Sequence, residues 1–327
     1  MQNYNNDIAA TKGSLSIVII GKNEEKNLDR VFTSVIKASD AYFQKYKTSP
    51  SIIYIDSNSS DNSVNIAKKF NITYRIIEGK TTPAKAREKG FNETESEFVF
   101  FLDGDTEVES NWLIDGVSYL LENSKIGGVG GILKFYILKD DLLIWSSENY
   151  RNTKKNGELI TDGVGGTFLY RRNALNLAGG YHSNYSVCEE FELQLKLIAV
   201  GQNIVRITKP MAIHYDYKSI NENFIRRYLL SVNIFVPGQV IRNATLNRST
   251  LTIIFKRYWL LILHLPVLLV ALSLLLFDLL IPAFTIILGL CFAHFYSKNW
   301  NLKRSLASIF SMNFYSFGFY YGFFFSK

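Results

Sequence analysis

Cysteine is nearly absent: Cys188 and Cys291 are the two in 327 residues. A pair so far apart cannot staple a small scaffold, so a secreted disulfide framework is excluded and a reducing compartment fits. Residues 1–13 lack an apolar run. No cleavable signal peptide is expected, and the N-terminus is expected in the cytosol. There is no internal repeat and no low-complexity tract. Charge amounts to 20% against 47% hydrophobic residues, which excludes wholesale disorder. Acid is scarce at one end only. Residues 251–327 carry Asp278 as their sole acid against Lys256, Arg257, Lys298, Lys303, Arg304 and Lys327. Most of the net charge of +7 therefore flanks apolar runs, a membrane pattern, and no nucleic-acid partner is expected.

What is present begins with alternation. LSIVII at Leu15–Ile20 reads as a buried strand. Leu28, Val31, Phe32, Val35 and Ile36 then mark one face of a helix over 24–38. Asn23 is its expected N-cap, with Glu24 and Glu25 in the first turn. Further strands are predicted at Ile52–Ile55, Thr73–Ile77 and Phe98–Leu102. The helices between them are predicted to end near Phe70 and to occupy 83–93, and another is expected over 189–200. Strands alternating with helices predict an α/β fold, a mostly parallel sheet covered on both faces. Ligands bind such sheets beyond the carboxyl ends of the strands, so chemistry is sought just after each one.

Asp103-Gly104-Asp105 follows the strand FVFFL. Two carboxylates two residues apart at a strand end suit a hard divalent ion such as Mg²⁺ or Mn²⁺, although an acidic turn has the same sequence. Asp56, after the strand IIYI, is expected on the same rim, able to accept from a ribose or base edge or to cap the next helix. Lys85 and Arg87, early in the helix before the fourth strand, are cations placed to meet a diphosphate.

The motifs LSIVIIGKNEEKNL, IIYIDSNSSDNS, AKAREKGF and FVFFLDGDTEVESNWL, followed by GGTFLYRRNAL, GGY, CEEFELQLKL and MAIHYD, resemble in order and spacing those of family 2 glycosyltransferases. The resemblance covers about residues 14–220. It implies the GT-A fold, a nucleotide-sugar-binding α/β domain. It implies that Asn23, Glu24, Asp56, Arg87 and Asp103 line the donor pocket, and Lys85 and Gly104 are expected there beside them. It further implies that Asp103, Asp105 and His214 attend the metal, Mn²⁺ or Mg²⁺, and that Glu190 is the catalytic base of an inverting transfer. A nucleotide-diphosphate sugar, of UDP or GDP type, is then the donor partner. The first loop departs from the family's pattern, with Gly21-Lys22 before Asn23-Glu24, and the acid pair is Glu189-Glu190 rather than Glu-Asp. A Gln-x-x-Arg-Trp motif of processive synthases has no clear match, so a single transfer per encounter is expected. Two other readings stand beside this one. One is a nucleotide-sugar-binding scaffold without activity. The other is a haloacid-dehalogenase-type phosphatase, against which Glu107 stands where Thr or Val is usual.

Residues 258–296 are apolar almost throughout. As one straight helix they would run ~58 Å at ~1.5 Å per residue, nearly twice a ~30 Å hydrocarbon core. Two transmembrane helices, 258–277 and 280–296, are expected instead, with Asp278 and Pro282 near the apex and the basic ends in the cytosol. A buried soluble hairpin would show periodic polar positions, which are missing here. A third segment, 305–326, is expected either to span or to lie on the membrane. The expected organisation is a catalytic domain over 1–220, a basic interfacial connector over 221–255, and a membrane domain over 256–327. The connector carries Arg226, Arg227, Arg242 and Arg248 among Phe224, Tyr228, Leu229 and Phe235. The expected location is the cytoplasmic membrane, catalytic domain facing the cytosol, with lipids and a lipid-linked or glycan acceptor as partners in cell-envelope glycan synthesis.

Overall fold

The computed structural model describes residues 13–139, 142–147, 157–159, 165–181, 185, 187–217, 235–297 and 302–325. The chain divides into two units, 1–220 and 221–327, and each is described by itself.

The first unit opens with β1 (Leu15–Gly21), α1 (Glu25–Tyr46), β2 (Ser51–Asp56), α2 (Ser63–Lys69), β3 (Thr73–Ile76), α3 (Pro83–Asn92) and β4 (Phe98–Asp103). β5 (Thr106–Val108), α4 (Trp112–Glu122), β6 (Ile126–Lys139), β7 (Leu142–Ser147), β8 (Glu158–Leu159), β9 (Phe168–Arg171), α5 (Arg172–Ala178), α6 (Glu189–Ala199) and β10 (Asn203–Tyr217) follow. One ten-stranded sheet runs β3-β2-β1-β4-β9-β6-β10-β5, with β7 on β6 and β8 on β10. Its first four strands are parallel. β9 enters antiparallel to β4 and to β6, so the sheet is mixed rather than mostly parallel.

Alternation along each central strand feeds two cores. Ile17, Ile19, Phe98, Phe100 and Leu102 pack with Leu28, Val31, Phe32 and Val35 of α1 on one face. Val18, Ile20, Val99 and Phe101 pack with Ala84 and Ala86 of α3 and Leu193 and Leu197 of α6 on the other. Helix α3 approaches closely because position 90 is glycine: a Cβ there would collide with Val18. Pro83 at N1 and the Thr82 hydroxyl, which accepts from the Lys85 amide at 3.1 Å, start that helix. Helix α1 begins one residue later than expected. Its N-cap is Glu24, and Asn23 instead takes a left-handed turn at φ 59°.

In the second unit, α7 (Val236–Asn243), α8 (Arg248–Leu276), α9 (Leu280–Ser297) and α10 (Leu302–Phe324) are described. Arg226, Arg227, Phe224, Tyr228 and Leu229 of the expected connector lie outside the described residues. Helix α8 starts ten residues before the expected span, inside that connector. A capping box explains it: Asn247 and Thr250 exchange side-chain-to-backbone hydrogen bonds. The chain turns at Phe277–Leu279, where Asp278 is left-handed at φ 57°. Among the described residues α8 is the one helix long and apolar enough, by length and composition, to cross a membrane.

Candidate active site

The carboxyl ends of β1, β2 and β4 carry Gly21, Asp56 and Asp103, paired across the sheet so that their loops share one rim. Beyond that rim lies a cavity of about 400 Å³, lined in part by Lys22, Glu24, Ser57, Thr82, Asp103 and Asp105. Its far wall comes from the N-terminus of α6, which supplies Glu189 and Glu190. A second cavity of about 120 Å³, lined by Thr106, Phe135, Thr167 and His214 among others, meets the first at Asp103 and Glu190.

Arg87 stands behind the junction. It is 2% exposed. One guanidinium nitrogen donates to Asp103 Oδ1 at 2.7 Å and the other to Glu189 Oε1 at 2.8 Å, with Glu190 at 3.9 Å. Burial alone would lower its pKa, but Asp103, Tyr181, Glu190 and Glu189 raise it, so it stays charged. The guanidinium also faces the Tyr181 ring at 5.7 Å. The sequence placed Arg87 against a diphosphate. In the fold, carboxylates from β4 and α6 already occupy its fork, and it joins the two halves of the site.

Glu190 is pushed up to about 7. Burial is the main cause, the Arg87 charge opposes it, and Glu189 and Asp103 add to it. A helix N-terminus favours the ionised form, and here desolvation outweighs that field. Glu24 also rises to about 7, first through burial and then through Asp105 and Asp103, with its bond from Asn27 acting the other way. His214 Nδ1 stands 3.1 Å from Asp105 Oδ1 and 3.1 Å from the Thr106 hydroxyl, with Phe135 stacked on its ring at 4.6 Å. Burial would lower the imidazole; the hydrogen bond and charge of Asp105, then Asp103 and Asp216, leave it raised.

The structure thus brings Glu24, Arg87, Asp103, Gly104, Asp105 and Glu190 to one cavity, with His214 on its smaller neighbour. It does not bring the other three. Asp56 is fully buried, its oxygens taken by the Tyr54 hydroxyl and by the amide and hydroxyl of Ser59. Asn23 accepts from the Ser60 amide at 2.9 Å and ties two loops together. Lys85 is exposed and outside the lining. Sequence reasoning missed Glu189 as the partner of Arg87. It also missed Gly166, where a Cβ would collide with both Arg87 and Asp103. The Glu189-Glu190 doublet and the doubled glycine before Thr167 were the available signals.

Among the described residues no three His, Cys, Asp or Glu side chains form a ready metal-ligand group. The chemistry nevertheless fits a divalent ion. Asp105 and His214 are adjacent oxygen and nitrogen donors, and the crowding of Glu24 by Asp103 and Asp105 is the kind of field a cation relieves.

Comparison with known proteins bears on the family and the fold. The profile of glycosyl transferase family 2 matches residues 16–177. The glycosyltransferase AglE of Haloferax volcanii is 27% identical over 134 residues, 39% of this chain and 42% of that protein. The cholesterol galactosyltransferase of Borreliella burgdorferi is 37% identical over 106 residues, 31% of this chain and 28% of that protein. The match therefore spans under half of either relative. Residues 1–349 of S. aureus TarS, solved with UDP-GlcNAc, superpose with a TM-score of 0.55 at 18% identity, covering 74% of this chain and 71% of that one. The same TarS segment in another crystal gives 0.54 at 14% identity, over 94% and 90%. At such identities the likeness is one of fold.

Proposed function

The chain belongs to glycosyltransferase family 2, and from that premise we propose that it is an inverting glycosyltransferase drawing on a nucleotide-diphosphate sugar. The observation that carries this reading is the Arg87 brace. It sets the Asp103-Gly104-Asp105 turn and the Glu189-Glu190 pair on facing walls of one cavity. The donor diphosphate is placed between the β1–α1 loop and the Thr81–Pro83 loop. An acceptor hydroxyl reaches Glu190 through the smaller cavity. Glu190 accepts the hydroxyl proton as the oxygen attacks the anomeric carbon, and a single direct displacement inverts that centre. Asp105 and His214, with Asp103 nearby, would hold Mn²⁺ or Mg²⁺, which supplies positive charge for the departing diphosphate.

The acceptor proposed is lipid-linked. The support is the apolar helix α8 and the basic residues at the ends of the apolar stretch, a pattern that favours a cytoplasmic membrane with the basic ends on the cytosolic side. Because TarS was solved with UDP-GlcNAc, UDP sugars are the first donors to test.

The test is release of nucleoside diphosphate from a panel of UDP and GDP sugars with Mn²⁺ and membrane extract as acceptor. Glu190→Gln is expected to lower turnover by about 10²–10⁴-fold, the range for general-base loss, while donor binding by calorimetry stays within a few fold. Full turnover in that variant would remove Glu190 from the mechanism.

A further inference from the structure

Helix α10 is built inside out. Facing outward are Phe314, Phe317, Tyr321, Phe324 and Phe325, between 45% and 72% exposed. Turned toward α8 is a polar stripe at helical spacing, Asn313, Ser316 and Tyr320. The Ser316 hydroxyl donates to the Leu261 carbonyl at 3.1 Å and the Tyr320 hydroxyl to the Ile262 carbonyl at 2.5 Å. The second bond has a covalent cause. Pro266 lies inside α8 and has no N–H, so the carbonyl four residues back, that of Ile262, loses its helical donor. Tyr320 replaces it.

Asn313 continues the pattern. Its Nδ2 donates to the Ile309 carbonyl at 3.1 Å, so its Oδ1 accepts from His264 Nε2 at 3.0 Å. His264 Nδ1 must then accept from His294 Nε2, 3.0 Å away on α9. Both imidazoles are buried, at 2% and 0% exposure. One directed chain of hydrogen bonds therefore crosses three apolar helices. At the other end of α10, Gly322 lies against the Phe235 backbone, and Gly238 of α7 against that of Phe319, with no room for a Cβ at either.

We propose that α10 is a third lipid-immersed helix, and that Asn313, Ser316 and Tyr320 are a polar lock setting its register against α8 and, through His264, against α9. In water the outward aromatic face would be the costly one and the inward polar groups the cheap ones. In hydrocarbon the order reverses, because an unpaired carbonyl has no water to turn to. This inference rests on the membrane reading of the second unit.

The test uses the full chain in detergent micelles and in phosphatidylcholine–phosphatidylglycerol vesicles. Tyr320→Phe is expected to lower Tm by several degrees. Pro266→Ala in that background is expected to restore most of the loss, since an alanine in place of the proline returns an amide to the Ile262 carbonyl. His264→Leu and Asn313→Leu are expected to lower Tm less than additively when combined. An unchanged Tm in Tyr320→Phe, the same Pro266→Ala effect with and without Tyr320, or strict additivity of the second pair would overturn the lock. Immersion is read by nitroxides at Phe317→Cys and Leu269→Cys in chains with both native cysteines replaced by alanine. Both labels are expected to be accessible to oxygen and shielded from an aqueous nickel chelate. A chelate-accessible 317 beside a shielded 269 overturns the inference for α10 alone, whereas chelate access at both positions overturns the membrane reading itself.

Discussion

Arg87 is the residue on which the proposed site turns. It carries one positive charge into a nearly dry position and meets Asp103 and Glu189 there, with Glu190 alongside. Removing one partner of such a cluster leaves uncompensated buried charge, which costs about 3–5 kcal/mol. Arg87→Met is therefore expected to lower unfolding free energy by about that amount, read from urea midpoints, and to abolish transfer. A stable variant with normal turnover would show that the brace is dispensable. Glu190 makes a separate prediction. Its carboxyl is pushed up to about 7, and only the ionised form accepts a proton. The rate should fall as pH drops below about 7 and level off above it. A profile whose acid limb lies near the ordinary glutamate value would contradict the burial that raises it.

At the scale of elements, the site depends on how near backbones come. β9 is preceded by Gly165-Gly166-Thr167, and Gly166 sits against the Arg87–Asp103 ion pair without room for a methyl group. Gly166→Ala is expected to displace Asp103. Overpacking of this sort costs about 1–3 kcal/mol, and misplacement by about 1 Å can cost a hundredfold in rate. The check is kcat/KM beside Tm: a drop in Tm with unchanged kcat/KM would make Gly166 structural only. Some of this was legible beforehand. The first four strands were marked as apolar runs and α1 by its apolar period, while the Thr82 cap and Pro83 that start α3 emerged only in the fold. The parallel expectation failed at β9 because short strands between irregular segments carry no periodic sign of which neighbour they will join. The orientation of Asp56 also escaped the sequence: Ser59 and Tyr54, which turn it inward, look like ordinary loop and strand residues.

At the scale of the whole molecule, an α/β unit and an apolar helical unit share one chain, and under the proposed function the apolar unit keeps the enzyme on the membrane that holds its acceptor. A chain truncated after residue 220 is expected to lose turnover on a lipid-linked acceptor by at least tenfold relative to the full chain while keeping hydrolysis of the donor. Equal use of lipid-linked and water-soluble acceptors by both forms would sink the tethering idea. Chelation belongs to the same scale. With the proposed cation removed by EDTA, transfer should fall to background and return with Mn²⁺ or Mg²⁺, and unaltered turnover would show that Asp105 and His214 act without it.

The sequence by itself determined where apolar faces recur, where charge is lacking, and which acids follow which strands, since these are properties of spacing along one chain. That was enough for the element order of residues 15–103 and for the family; the resemblance its motifs carry also named Glu24, Asp103, Asp105 and Glu190, which the fold brings to one cavity. Only the tertiary structure decided that Arg87 is spent on Asp103 and Glu189, that Asp56 faces inward, and that Tyr320 serves the carbonyl Pro266 leaves bare. Each of those depends on two groups separated by tens of residues or more, or on which side of a strand end a short side chain turns. Burial then fixes the outcome: once water is excluded, a charge or a carbonyl must take whatever partner the fold has brought within reach.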